Sequence, residues 1–198
     1  TIALTNDNTP TIEGTAEVGS TVELFNGSDS LGTVVAADDG SFSITPTLGD
    51  SDYVLTVTAT DEAGNTSVPS AGLNITVDTT APAAPLITTD IALTKINTPT
   101  IKGTTAPGTT VTLLDGDNAL GSVIAGNDGS FSITSSVLAD ANYTLTVTAT
   151  DEAGNTSSPS IGLPITIDTT APAAPVISTT TSLTNINTPT IEGTAEVG

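Results

Sequence analysis

The sequence predicts an all-β chain built from tandem antiparallel β-sandwich domains of seven strands each. Three observations carry that expectation. Apolar residues recur at every second position, the signature of a half-buried strand. Gly, Asn, Asp and Pro fall between the apolar runs, where turns need them. The whole pattern returns after about 90 residues, the size of a self-sufficient sandwich.

The repeat fixes the domain organisation. LTVTATDEAGNTS stands at 55–67 and again, unchanged, at 145–157; TPTIEGTAEVG stands at 9–19 and again at 188–198. VDTTAPAAPLI at 77–87 returns as IDTTAPAAPVI at 167–177, and the second copy carries one extra residue near Val137 or Leu138. A period of roughly 20–50 residues would mean a solenoid or propeller, whose units share a core. The longer period gives separate beads: repeat one at 1–79, repeat two at 80–169, and the first part of a third at 170–198. The chain starts and stops in mid-pattern, as a piece of a longer array would. Repeat one is expected to lack most of its first strand. The stretch 176–198 offers only two strands, too few to bury a core, so it should be disordered or dock on a neighbour.

Within a repeat the elements follow in order. Val22 and Leu24 alternate with Thr21 and Glu23; Phe42 and Ile44 alternate with Ser41, Ser43 and Thr45. Tyr53, Leu55, Val57 and Ala59 alternate with Val54, Thr56, Thr58 and Thr60, and Leu73, Ile75 and Val77 with Asn74 and Thr76. Carried to repeat two, this predicts strands A near 86–89, B at 98–105, C at 109–115, D at 120–125, E at 130–135, F at 143–150 and G at 160–167. Tyr53 and Tyr143 open strand F just after the E–F corner, where immunoglobulin-like Greek-key sandwiches place a tyrosine corner. The inter-sheet disulfide and buried Trp of antibody domains are missing, since the chain has no Cys and no Trp. A fibronectin-III-like variant also fits.

Composition narrows the chemistry. There are 22 acidic residues against two basic ones, Lys95 and Lys102, for a formal charge of −20. That field repels nucleic acid and anionic lipid and attracts cations. No apolar run reaches the roughly 18 residues of a membrane span, and no signal peptide opens the chain. With no His and no Cys there is neither an imidazole base nor a thiolate. Paired carboxylates alone would need a cleft with aromatic platforms to cleave glycosides, and four of the five aromatic residues read as core. Non-enzymatic function is expected. A small extracellular domain without disulfides needs another staple, and a metal is the obvious one.

DTTAPAAP, ATDEAGNTS, the turn before GSFSIT, and TPTIEGTA, in that order and at fixed spacing, resemble the bacterial Ig-like repeats of giant biofilm-associated and repeats-in-toxin surface adhesins. The resemblance spans essentially the whole chain. It implies display at the bacterial cell surface, one-step type I secretion in many members, and a stalk that holds a distal adhesive domain away from the cell. The partners so implied are neighbouring repeats of one monomeric rod, with a host-cell or surface ligand met through other domains. An alternative is that the repeats themselves grip a glycan or a host protein, but exposed aromatic anchors are scarce.

The acidic loops suggest where Ca²⁺ would stiffen such a stalk. Strand G of repeat one ends at Asp78. The B–C, D–E and F–G loops of repeat two (105–108, 125–129 and 151–155) should face the preceding domain. Asp78 is therefore expected to approach Asp128 and Asp151, with Asn127, Glu152 and Asn155 as further oxygen donors, in the hard-oxygen cage that calcium prefers. Asp38, Asp39, Asp61 and Glu62 form the homologous half-site on repeat one, and Asp168 the one at the end of repeat two. The same residues are also ordinary turn formers: Asp39-Gly40 and Asp128-Gly129 suit hairpins. Asp115-Gly116-Asp117-Asn118 looks like the start of an EF-hand loop, but position 12 is Gly126 where a bidentate Glu is required, so a polar turn is expected there. A weaker cation site near Asp50, Asp52 or Asp140 is a further candidate. The linker 81–85 holds two prolines that fix φ and favour an extended path.

Overall fold

The computed structural model describes residues 3–180, 185 and 187–196. Every regular element in these residues is a strand, as the two-residue period requires. Repeat two comprises β8 (Leu86–Ile87), β9 (Leu93–Thr94), β10 (Thr100–Thr104), β11 (Thr110–Asp115), β12 (Asn118–Ile124), β13 (Ser130–Thr134), β14 (Ala141–Thr150) and β15 (Leu163–Ile167). One sheet runs β13-β10-β8 and the other β12-β11-β14-β15-β9. Repeat one repeats the plan with β1 (Ala3–Thr5), β2 (Ile12–Thr15), β3 (Thr21–Asn26), β4 (Asp29–Val35), β5 (Ser41–Ile44), β6 (Ser51–Thr60) and β7 (Leu73–Val77), in sheets β2-β5 and β1-β7-β6-β3-β4.

Alternation delivers one face of each strand to a dry interior. In β11 the burial alternates so that Val111 and Leu113 are fully covered, and Phe131 with Ile133 in β13 faces Leu145, Val147 and Ala149 in β14. Each repeat has its own core cluster, centred on Leu24 and Leu55 in the first and on Leu113 and Leu145 in the second. The tyrosine corner is present in both: the Tyr53 hydroxyl donates to the Gly49 carbonyl at 3.0 Å, and that of Tyr143 to the Ala139 carbonyl at 3.1 Å.

Three details refine the sequence-based expectation. The strand expected as D pairs with C, through Thr110↔Ile124 to Asp115↔Asn118, so it lies in the sheet of C, F and G, as in a fibronectin-III sandwich. The cause is the two-residue turn Gly116-Asp117, which closes a hairpin and forces β12 beside β11. Gly116 has φ 56° and no non-glycine residue among the described residues has positive φ, which is the II′ geometry that suits a hairpin's twist. Strand A is split. Only Leu86–Ile87 pairs with β10, while Leu93–Thr94 crosses to pair in parallel with β15; a two-residue strand leaves no periodicity to read. Strand G starts at Leu163 rather than at 160. The segment before it is held by serines: Ser157 and Ser160 donate their N–H groups to the Ala149 and Val147 carbonyls at 2.8 and 2.9 Å. Their hydroxyls accept the Ala149 and Val147 N–H groups in return at 2.9 and 3.1 Å.

In the third repeat β16 (Val176–Ile177) pairs antiparallel with β17 (Gly193–Thr194). This is the A–B pairing of repeat two in miniature. The stretch expected to supply two strands, 176–198, includes positions 181–184, 186, 197 and 198 that lie outside the described residues.

Candidate functional site

The chain leaves repeat one through a clamp built from the DTT motif. Asp78 continues from β7, and its N–H donates to the Thr5 carbonyl at 3.0 Å. The Asp50 carboxylate accepts the Thr79 N–H at 3.0 Å and the Thr79 and Thr80 hydroxyls at 2.7 Å each. Repeat two builds the same clamp: Asp140 accepts the Thr169 N–H at 3.0 Å and the Thr169 and Thr170 hydroxyls at 2.8 Å. The threonine hydroxyls are the chief reason that both carboxyls sit below the ordinary aspartate range. Asp50 and Asp140, weighed from sequence only as cation sites, thus fix the direction in which the linker departs.

The joint lies just beyond this clamp. Asp151 directly follows β14 and opens the F–G loop, where its Oδ1 accepts the Asn155 N–H at 2.8 Å and its Oδ2 the Asn155 side-chain amide at 3.0 Å. The same amide nitrogen donates to the main-chain oxygen of Asp78 at 2.7 Å. Two hard oxygens, one from each repeat, therefore converge on one point. Burial pushes the Asp151 carboxyl up, but the Asn155 side chain and the backbone N–H groups of Asn155, Gly154 and Ala153 together hold it below its ordinary value. The loop is built before a neighbour is met: in repeat one Asn65 donates to Asp61 in the same way, at 2.8 Å by both its N–H and its side-chain amide. Asn6 of repeat one, which sequence reasoning missed, lies against Gly154, where an added Cβ would sit 3.5 Å from the Asn6 Nδ2. Its signal is faint, since Asn6 reads as one more turn residue.

The remaining candidates are dispersed. Asp78 meets repeat two through its carbonyl, while its Oδ1 accepts the Thr80 N–H at 3.0 Å. Asp168 does the same with Thr170. Asp128 accepts the Ser130 N–H and hydroxyl at 3.0 and 2.7 Å, and Asp39 those of Ser41 at 2.9 and 2.6 Å, so both close the turns their Asp-Gly pairs suggest. The Thr105 hydroxyl is buried without a partner beside that Asp128 turn, where the Thr105 N–H donates to the Gly129 carbonyl at 2.9 Å. Asn127, Glu152, Asp38 and Glu62 are exposed. No group of three or more acidic side chains is gathered among the described residues, so the joint brings together Asp78, Asp151 and Asn155 and leaves Asp128 on its own turn. In kind, the Asp78 carbonyl, the Asp151 carboxylate and the Asn155 amide oxygen suit a hard divalent cation.

A family model described as a bacterial Ig-like domain matches residues 3–79 and 88–169. Exoglucanase B of Cellulomonas fimi is 33% identical over 192 residues, 83% of this chain and 16% of its own length. Bacillopeptidase F of Bacillus subtilis is 32% identical over 152 residues, 76% of this chain and 10% of its own. The chain thus spans a small part of the curated relatives it matches. Among solved structures, the fibronectin(III)-like modules of Clostridium thermocellum CbhA superpose with TM-score 0.53 at 17% identity, covering 84% of this chain and 90% of that one.

Proposed function

The chain belongs to the bacterial Ig-like domain family, as two tandem copies, and from that premise we propose that it is a non-catalytic extender in which each joint is set by the Asp-Thr-Thr clamp and stiffened by Ca²⁺. The observation that carries this reading is the convergence of the Asp78 carbonyl and the Asp151 carboxylate on the Asn155 side chain. It couples the end of one bead, just past its last strand, to a preformed loop of the next. Calcium would displace the Asn155 amide N–H group that bridges those two oxygens here, taking both oxygens, the Asn155 amide oxygen once the amide turns over, and water to complete the shell. Its chemistry is to neutralise acidic loop ends and to resist bending. Extracellular calcium modules bind at about 10⁻⁴–10⁻³ M, and ion at a hundredfold excess over Kd stabilises a site by about 2.7 kcal/mol. Displayed outside the cell, such a string would carry a distal adhesive domain.

A second reading is favoured by the curated relatives, both named as enzymes and both far longer than the matched region. Here the beads would space the parts of a secreted hydrolase. The mechanics are the same in both readings and only the cargo differs. The decisive experiment measures melting temperature and small-angle scattering of the 198-residue chain with calcium and with chelator. Calcium should raise the melting temperature and lengthen the maximum dimension. If neither responds, the calcium element is lost and the extender must rest on the clamp and prolines alone.

A further inference from the structure

Tension along a string of beads runs through each bead by a path that its topology sets. In repeat two the load enters at β8, which is held to β10 by the pairs Leu86↔Thr104 and Ile87↔Gly103. When β8 slides, the load passes to β9, and it leaves through β15 and the Asp140 clamp. β9 and β15 are parallel, with Leu93 opposite Thr166 and Thr94 opposite Ile167. Load arrives at the N-terminal end of β9 and departs from the C-terminal end of β15. It therefore slides one strand along the other and strains the bonds between them together. Two antiparallel strands pulled apart from one end would instead open bond by bond.

One residue limits this ladder. The Thr166 N–H donates to the Ala92 carbonyl at 2.9 Å, and the Asp168 N–H to the Thr94 carbonyl at 3.0 Å. Main-chain groups alternate along a strand, so residue 164 faces the β9 side as well. That residue is Pro164, which lies inside β15 and has no N–H. Proline is tolerated in a sheet only where its missing N–H meets no partner strand, and here it stands past the paired end of β9. Repeat one has Asn74 at this place in β7. Its ladder is one pair longer, with Ala3↔Ile75, Leu4↔Thr76 and Thr5↔Val77. The exits are alike: the Asp78 N–H donates to the Thr5 carbonyl at 3.0 Å, and Asp50 makes the same clamp.

We propose that Pro164 makes repeat two a fuse under tension: its β9–β15 ladder yields at a lower load than it would with the asparagine of repeat one. A bead of this size releases on the order of 250 Å of chain when it opens, which relieves the load on the joints and on the rest of the string. The inference rests on the extender reading for its use, since only a tethered chain is pulled. The ladder itself needs no calcium.

The test is constant-force tweezers on the 198-residue chain, tethered at its two ends in chelator, so that a failure of the calcium reading leaves it untouched. An insert of about ten Gly/Ser residues between Gly27 and Ser28 adds roughly 35 Å to the unfolding step of repeat one and tells the beads apart. Pro164→Asn should lengthen the lifetime of repeat two about fivefold, as one more hydrogen bond in the barrier would. Asn74→Pro should shorten that of repeat one by a similar factor. Each swap copies a residue with which the other repeat already folds. In a second geometry the load enters at Asp117→Cys, a unique handle because the chain has no cysteine, and leaves at the C-terminus. That path bypasses β9, so Pro164→Asn should leave the lifetime unchanged. Lifetimes that ignore both swaps in the end-to-end geometry overturn the proposal. An equal gain in both geometries also overturns it, because Pro164 would then weaken the bead in every direction.

Discussion

The side-chain amide of Asn155 reaches back 77 residues to the main-chain oxygen of Asp78, at 2.7 Å. The bond spans two independently cored beads, so it governs their orientation rather than the stability of either. Asn155→Ala also removes the amide bond to Asp151 within repeat two, so at about 1 kcal/mol per net hydrogen bond it should lower the melting of repeat two slightly and leave that of repeat one nearly in place. It should broaden the distribution of interdomain distances measured by spin-label spectroscopy. An unchanged distribution would mean that the linker prolines alone hold the angle.

Calcium dependence should divide the two aspartates of the joint. Asp78 contributes its carbonyl, which Asp78→Asn retains, whereas Asp151 contributes its carboxylate. Asp151→Asn should weaken calcium binding, read by calorimetry, by tenfold or more, with Asp78→Asn much closer to the parent. Equal losses would show that the Asp78 side chain turns into the site.

Acid sensitivity follows from the clamp. The folded carboxyls of Asp50 and Asp140 lie below their ordinary value, which is about 3.9 in an unfolded chain. A lowered folded value contributes stability that is present above the unfolded pKa and lost as pH falls through the folded one. Denaturant stability should therefore be level at neutral pH and decline below about pH 4. Asp140→Asn should lessen that decline for repeat two, where the lowered carboxyls of Asp128 and Asp151 keep part of it, while leaving repeat one unaltered.

Tyr143→Phe removes the hydroxyl bonded to the Ala139 carbonyl and keeps the ring. The expected loss is about 0.5–1.5 kcal/mol, a fall of roughly 2–12 °C in the melting of a domain this size. Tyr53→Phe should lower repeat one in parallel. A null result in both would reduce the corner to ring packing.

Gly103 and Gly14 occupy the same place in the two repeats, yet they should respond differently to alanine. An added Cβ on Gly103 collides with the Leu86 carbonyl and the Phe131 ring, while on Gly14 it meets only the Phe42 ring. Gly103→Ala should cost about 1–3 kcal/mol or more, as overpacking does, and should free β8. Gly14→Ala should cost less, by comparative unfolding of the two variants.

The period of two in runs such as 53–60, the 90-residue repeat, the tyrosine corners and the Asp-Gly turns were all legible in the sequence, because each is a local pattern enforced by backbone geometry. The all-β class and the bead organisation follow from them directly. Tertiary structure alone decided which strands share a sheet, since β12 joins β11 through a two-residue turn whose hand no alternation reveals. It alone showed that Asp50 spends its carboxylate on Thr79 and Thr80, and that Asp78 offers its carbonyl to Asn155. Residue identity says that an oxygen is available, but only the packed chain determines which oxygen points where.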